Sequence, residues 1–188
     1  MTTSCSDTHG PAPADTDAAT GYFQRFVDAE YAVNQAMPDD PAHVAKVLAA
    51  AEAFLGPGLM LPNGPAALGL TDRFRVSFGP DEPCVPRTLF AVAVYEDGER
   101  GSVWEAYVSY YQHLGALTYA LRLRAVLVGG RRLIVSIDRP DIDCPGQWLT
   151  SQGQQFHLSA QPVAVRALAE PRRAAHRQHW AQLTGAGG

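Results

Sequence analysis

Between Ser102 and His113 every second residue carries a group that can donate, accept or move a proton: Glu105, Tyr107, Ser109, Tyr111 and His113. On an extended strand that spacing puts all five on one face. A carboxylate, two phenols and an imidazole side by side are the ingredients for proton transfer next to a developing enolate or alkoxide. In such a site Glu105 and His113 exchange protons, and Tyr107 or Tyr111 holds the oxyanion. Arg122 and Arg124 alternate in the same way further on. They either pair with Glu105 or clamp an anionic substrate. A plainer reading stands beside this one, because half of a one-sided antiparallel sheet is polar anyway and tyrosine favours strands. Strand arginines, too, are commonly solvated or ion-paired.

These residues must be positioned by four strands in two hairpins: Arg87–Glu96, Ser102–His113, Thr118–Val128 and Arg131–Asp138. Asp97-Gly98 and Gly129-Gly130 supply the positive φ angles of two-residue hairpin turns. With that turn in the first hairpin, Phe90, Val92 and Val94 share a face with Glu105, and Ala91, Ala93 and Tyr95 share the other with Trp104 and Ala106. In the second hairpin Arg122, Arg124 and Val126 join Leu133, Val135 and Ile137, while Leu121, Leu123 and Ala125 join Ile134.

Two helices precede the strands. One starts at Asp17, capped by Asp17 or Thr20, with an apolar stripe through Tyr22, Phe23, Phe26, Val27, Tyr31 and Val33. The second is capped by Asp40, has Pro41 at its first position and ends at Gly56. The Gly56–Leu70 loop carries Leu59, Met60 and Leu61, too apolar to stand in water. It is a lid, a core plug or an oligomer contact, and a short strand, Arg73–Phe78, follows it. After Pro140 come a loop to Gln161, a short helix Val163–Ala169 and a second helix Arg172–Leu183.

The chain has 188 residues, 46% of them apolar, and a net charge of −4. That describes one soluble globular domain with tails, long enough for a core. Lys46 is the only lysine, and the basic residues form no nucleic-acid footprint beyond Arg172, Arg173 and Arg177. Acid is concentrated early, with eight Asp or Glu up to Met60 against Arg25 and Lys46. No membrane-spanning run and no signal-peptide pattern is visible, so the default is a cytoplasmic protein with no membrane or nucleic-acid partner. Cys5, Cys84 and Cys144 have no metal-ligand spacing and are expected as free thiols. His176 and His179 stand three apart without an acidic third ligand, and Asp138, Asp141 and Asp143 lack the glycine and glutamate of a calcium loop. No metal or cofactor is therefore expected. The elbow, phosphate-loop, dinucleotide and zinc-protease motifs are absent.

Two helices, an apolar loop and then two long hairpins ending in LRLRAVLVGGRRLIVSIDRP resemble the nuclear-transport-factor-like, polyketide-cyclase-like α+β cone. The resemblance implies N-terminal helices packed on a curved antiparallel sheet around an apolar pocket, over residues 17–140. A 1–16 tail precedes that domain, and a C-terminal loop and helical extension, 141–188, departs from the minimal cone. The activity implied is cofactor-independent acid/base chemistry of the cyclase, dehydratase, isomerase or epoxide-hydrolase type on an apolar small molecule. Glu105, Tyr107 and His113 are the catalytic candidates, and Tyr31, Met60, Tyr111, Arg122 and Arg124 the substrate contacts. The alternative is a non-catalytic ligand- or protein-binding member. A homodimer through the sheet face bearing Trp104 and Tyr110 is expected with either.

Overall fold

The first helix, α1 (Pro13–Gln35), buries Ala19, Tyr22, Phe23, Phe26, Val27 and Val33, a stripe three and four residues apart. It begins four residues before the expected cap. Proline suits a first helical position, and Thr20 sits inside the helix, donating back to the Thr16 carbonyl at 2.6 Å. The second helix, α2 (Pro41–Glu52), starts as its sequence dictates, with the Asp40 carboxylate accepting from the His43 N–H at 3.0 Å. It stops at Glu52, before Gly56. Phe54–Gly56 turn away to join the sheet: the Ile134 N–H donates to the Phe54 carbonyl at 2.8 Å, and the Gly56 N–H donates to the Ile134 carbonyl at 2.7 Å. A Cβ on Gly56 would stand 3.0 Å from that carbonyl. The glycine therefore permits a close backbone approach and does not cap the helix.

The structure is a computed structural model that describes residues 13–36, 40–62, 88–111, 118–141, 143–144, 147–158 and 161–168. The expected strand Arg73–Phe78, the second C-terminal helix and His113 lie outside these. Among the described residues six antiparallel strands form an open sheet: β1 (Thr88–Asp97), β2 (Gly101–Tyr111), β3 (Thr118–Val128), β4 (Arg131–Pro140), β5 (Trp148–Gly153) and β6 (Ala164–Ala167), in the order β5-β4-β3-β2-β1-β6. The class is α+β, two helices on one face of this sheet. The core lies between them: Val92, Val94, Ala106, Val108, Leu121, Leu123, Ala125, Ile134 and Ile137 meet the helical stripe, and Leu61 plugs in beside them. Among the described residues no helix is long and apolar enough to cross a membrane.

The first hairpin is not a two-residue turn. Glu96 opposes Ser102 and Asp97 opposes Gly101, leaving Gly98, Glu99 and Arg100 in the loop. The Asp97 carboxylate accepts from the Glu99 and Arg100 N–H groups, both at 2.9 Å, and the positive φ falls on Gly101 (+68°), not on Gly98. The register moves by an odd number, so β1 turns over: Ala91, Ala93 and Tyr95 share a face with Glu105, and Val92 and Val94 face the helices. The second hairpin is the expected two-residue turn, with Gly129 at φ +57° and Gly130 at +78°. A bulge then shifts β4 by one, so Arg124 opposes Ser136 and Arg122 opposes Asp138, and Ile137 passes to the helical face.

The expected helix at Val163–Ala169 is instead β6, paired with β1 from Ala91↔Ala167 to Val94↔Ala164. An open sheet edge offers Val163 and Leu168 carbonyl partners on Val94 and Phe90, at 2.8 and 2.7 Å, which overrides the local alanine preference for helix. Because β5 and β6 occupy opposite edges, the chain between them crosses the face that the helices leave open. Phe156 is buried on that crossing beside Val103, Val126 and Val135.

Candidate functional site

The crossing chain and β5 cover a cluster of charges on the sheet. Glu105 comes from β2, Arg122 and Arg124 from β3, and Ser136 and Asp138 from β4; the bulge in β4 is what turns the last two to this side. Glu105 and Asp138 are both 0% exposed and Arg124 is 4% exposed. Charges removed from water to that extent persist only when paired and hydrogen-bonded.

The pairing is close to complete. Arg124 Nε lies 2.6 Å from Glu105 Oε2, and its Nη1 stands 3.4 Å from Asp138 Oδ2, so this one guanidinium bridges both acids. Arg122 places Nε and Nη2 at 2.8 and 2.7 Å from Asp138 Oδ2. Ser136 Oγ donates to Asp138 Oδ1 at 2.8 Å. On Glu105 Oε1 two phenols converge: Tyr95 donates at 3.0 Å, and Tyr107 donates through a short bond. Two cations and two anions thus neutralise one another. Aromatic rings roof the cluster, with Trp148 of β5 against Arg122 at 4.9 Å and Phe156 against Arg124 at 5.5 Å.

Burial, followed by the neighbouring Glu105 charge, pushes the Tyr107 hydroxyl well above the ordinary phenol range. The same two causes raise Tyr95. Both therefore stay protonated and act as donors to Glu105. For Glu105 to take a proton from a substrate, a phenol or guanidinium would first have to leave it.

Of the residues singled out in the sequence, Glu105, Tyr107, Arg122 and Arg124 come together here. Tyr31 is half-buried on α1, which packs on the other face of the sheet. Met60 is 50% exposed, and its N–H donates to Gln152 Oε1 of β5 at 2.8 Å. Tyr111 closes β2 opposite Thr118, and its side chain lies outside the described residues, as does His113. Sequence reasoning put Tyr95 on the opposite face, weighed Asp138 only for a calcium loop, and passed over the two roofing aromatics. The available signal was charge complementarity: two arginines alternating on one strand called for two acids on its neighbours. Asp141 belongs elsewhere, since its carboxylate accepts from the Asp143 and Cys144 N–H groups in a turn.

Beside the cluster a cleft of about 430 Å³ opens between the β1–β2 turn and the crossing chain. Tyr95 lines it and so links cleft to cluster; Glu96, Glu99, Arg100, His157 and Leu158 line the rest. Among the described residues no group of three or more His, Cys, Asp or Glu is placed to hold a metal ion. Trp104, expected on an outer face, lies instead under α1, against Tyr22 at 5.9 Å and with the Arg132 guanidinium 4.0 Å above its ring. Compared with known proteins, the chain matches no family model, no curated protein and no solved structure.

Proposed function

We propose that this chain is a non-catalytic, protein-binding module on a cone-like α+β frame. The observation that carries this reading is the closed charge cluster: among the described residues Glu105, Asp138, Arg122, Arg124, Tyr95 and Tyr107 are all engaged with one another, with Glu105, Asp138 and Arg124 almost wholly buried. A cluster so paired fixes strand register and holds the crossing chain in place. Aliphatic side chains at 40% exposure or more, Leu127 and Val128 at the hairpin tip, Leu149 on β5, and Val163 and Val165 at β6, are the contacts this reading offers a partner chain.

Native mass spectrometry of the full chain, purified without added ligand, tests this reading. The expected result is the bare protein mass, alone or in a defined assembly. A retained molecule of small-ligand mass that leaves on denaturation would overturn it in favour of an enclosed pocket.

One observation favours acid/base catalysis as the second reading. Tyr95 lines the cleft and its hydroxyl donates to Glu105, which Tyr107 also reaches, so one side chain joins the cleft to a buried carboxylate. On that reading Tyr95→Phe leaves the fold intact and removes turnover of an apolar substrate. Unfolding of the variant well below wild type would count against it.

A further inference from the structure

The two faces of the sheet are covered in unlike ways. On one, α1 lies over the core with α2 beside it, each helix with its own hydrogen-bonded backbone. On the other, residues 154–158 cross as an irregular stretch. Among the described residues the backbone of this stretch is tied at two points. The Gln154 N–H donates to the Val135 carbonyl at 2.8 Å, and the Phe156 carbonyl accepts from Arg124 Nη1 at 3.4 Å. Phe156 is its one buried side chain, with Gln155 and His157 exposed on either side. The Phe156 ring meets the guanidinium groups of Arg100 at 4.9 Å and Arg124 at 5.5 Å, and it packs with Val103, Val126 and Val135. Gly153, where the stretch leaves β5, holds a φ of +83°.

The same residues wall two places at once. Gln155, His157 and Leu158 form one side of the cleft, and Phe156 covers Arg124. A cover anchored by one ring and two backbone contacts leaves the sheet at less cost than the paired strands leave one another. We propose that residues 154–158 are a strap, hinged at Gly153, that opens while the strands stay paired. Open, the strap joins the cleft to the Glu105–Arg124 pair and bares Val103, Val126 and Val135. The opening governs access to the charge cluster, and it holds whether the chain binds a protein or a small molecule.

Thiol labelling of the full chain with N-ethylmaleimide tests the strap, once Cys5, Cys84 and Cys144 have been replaced by alanine. Single cysteines are then placed by Val103→Cys and Val135→Cys under the strap, and by Val108→Cys under the helices. Val103 and Val108 both lie on β2 and are both 0% exposed, so the closed protein shields the two positions alike. The two strap-side thiols should label about tenfold or more faster than the Val108→Cys thiol, because a local opening precedes unfolding. Their rates should be nearly insensitive to low urea, since little surface is exposed, whereas labelling of Val108→Cys should climb steeply with urea. Unchanged circular dichroism shows that each variant folds, and Val126→Cys replaces a strap-side variant that does not. Equal rates at all three positions, with the same dependence on urea, would mean that the strap parts only on unfolding and would overturn the proposal. Fast labelling of Val103→Cys alone would overturn it too, as fraying of the first hairpin.

Discussion

At the scale of the residue, Glu105 is held by three donors and sits where water cannot replace any of them. Glu105→Gln keeps the shape but removes the charge that Arg124 and Arg122 face. Breaking one side of a buried pair typically costs about 3–5 kcal/mol, and denaturant unfolding of this variant and of Asp138→Asn should show losses of that size. The double variant should lose less than the sum, because both acids share Arg124. A tyrosine titration follows from the same burial. The chain has seven tyrosines, and Tyr22, Tyr95 and Tyr107 are all raised, chiefly by burial. A phenol whose value is raised on folding stabilises the protein fully below the unfolded value. That stabilisation is lost as pH climbs from about 10, the unfolded phenol range, through the folded value. The phenolate absorbance of these three tyrosines should therefore rise only together with loss of the fold, which absorbance and circular dichroism followed in one titration would check.

At the scale of the element, one glycine carries a conformation that other residues reach at a cost. Gly153 ends β5 at φ +83°, and a Cβ there would collide with the Val135 carbonyl. Because the crossing chain departs from this point, Gly153→Ala should destabilise by more than the roughly 1–2 kcal/mol of a left-handed backbone alone, and thermal unfolding would measure it. The β1–β2 turn depends on Asp97, whose carboxyl is held below its usual range by the Arg100 and Glu99 N–H groups. A carboxyl lowered on folding stabilises above its unfolded value, and the effect is lost as pH falls through the folded one. Protection of the Glu99 and Arg100 amides, taken relative to the intrinsic exchange rate at each pH, should accordingly fall on acidification, and Asp97→Ala should lower it at neutral pH.

At the scale of the whole molecule, the sheet is completed by its ends. β5 pairs with β4, β6 pairs with β1, and the chain between them lays Phe156 over the charges. A chain ending at Pro140 would retain both hairpins but expose Glu105, Arg124 and the inner face of Tyr107. It should unfold in far less denaturant than the full chain, or fail to fold. Wild-type stability in that truncation would mean that the crossing chain contributes nothing to the cluster.

What the sequence determined by itself is what neighbours along the chain control. The Asp40-Pro41 helix start, the Gly129-Gly130 turn and the apolar stripe of α1 each follow from local sterics and capping, and each is where the residues place it. Arg122 and Arg124 were legible as cations needing partners. Their partners were not. Asp138 faces them only because a bulge in β4, beside the Phe54–Gly56 segment bonded to Ile134, moves the register by one residue. Tyr95 faces Glu105 only because Asp97 gathers two N–H groups and lengthens the turn. β6 is a strand only because β1 offers it an edge. A side chain's face alternates with every residue, so a single inserted position reverses it, and such insertions are decided by contacts between segments far apart in sequence.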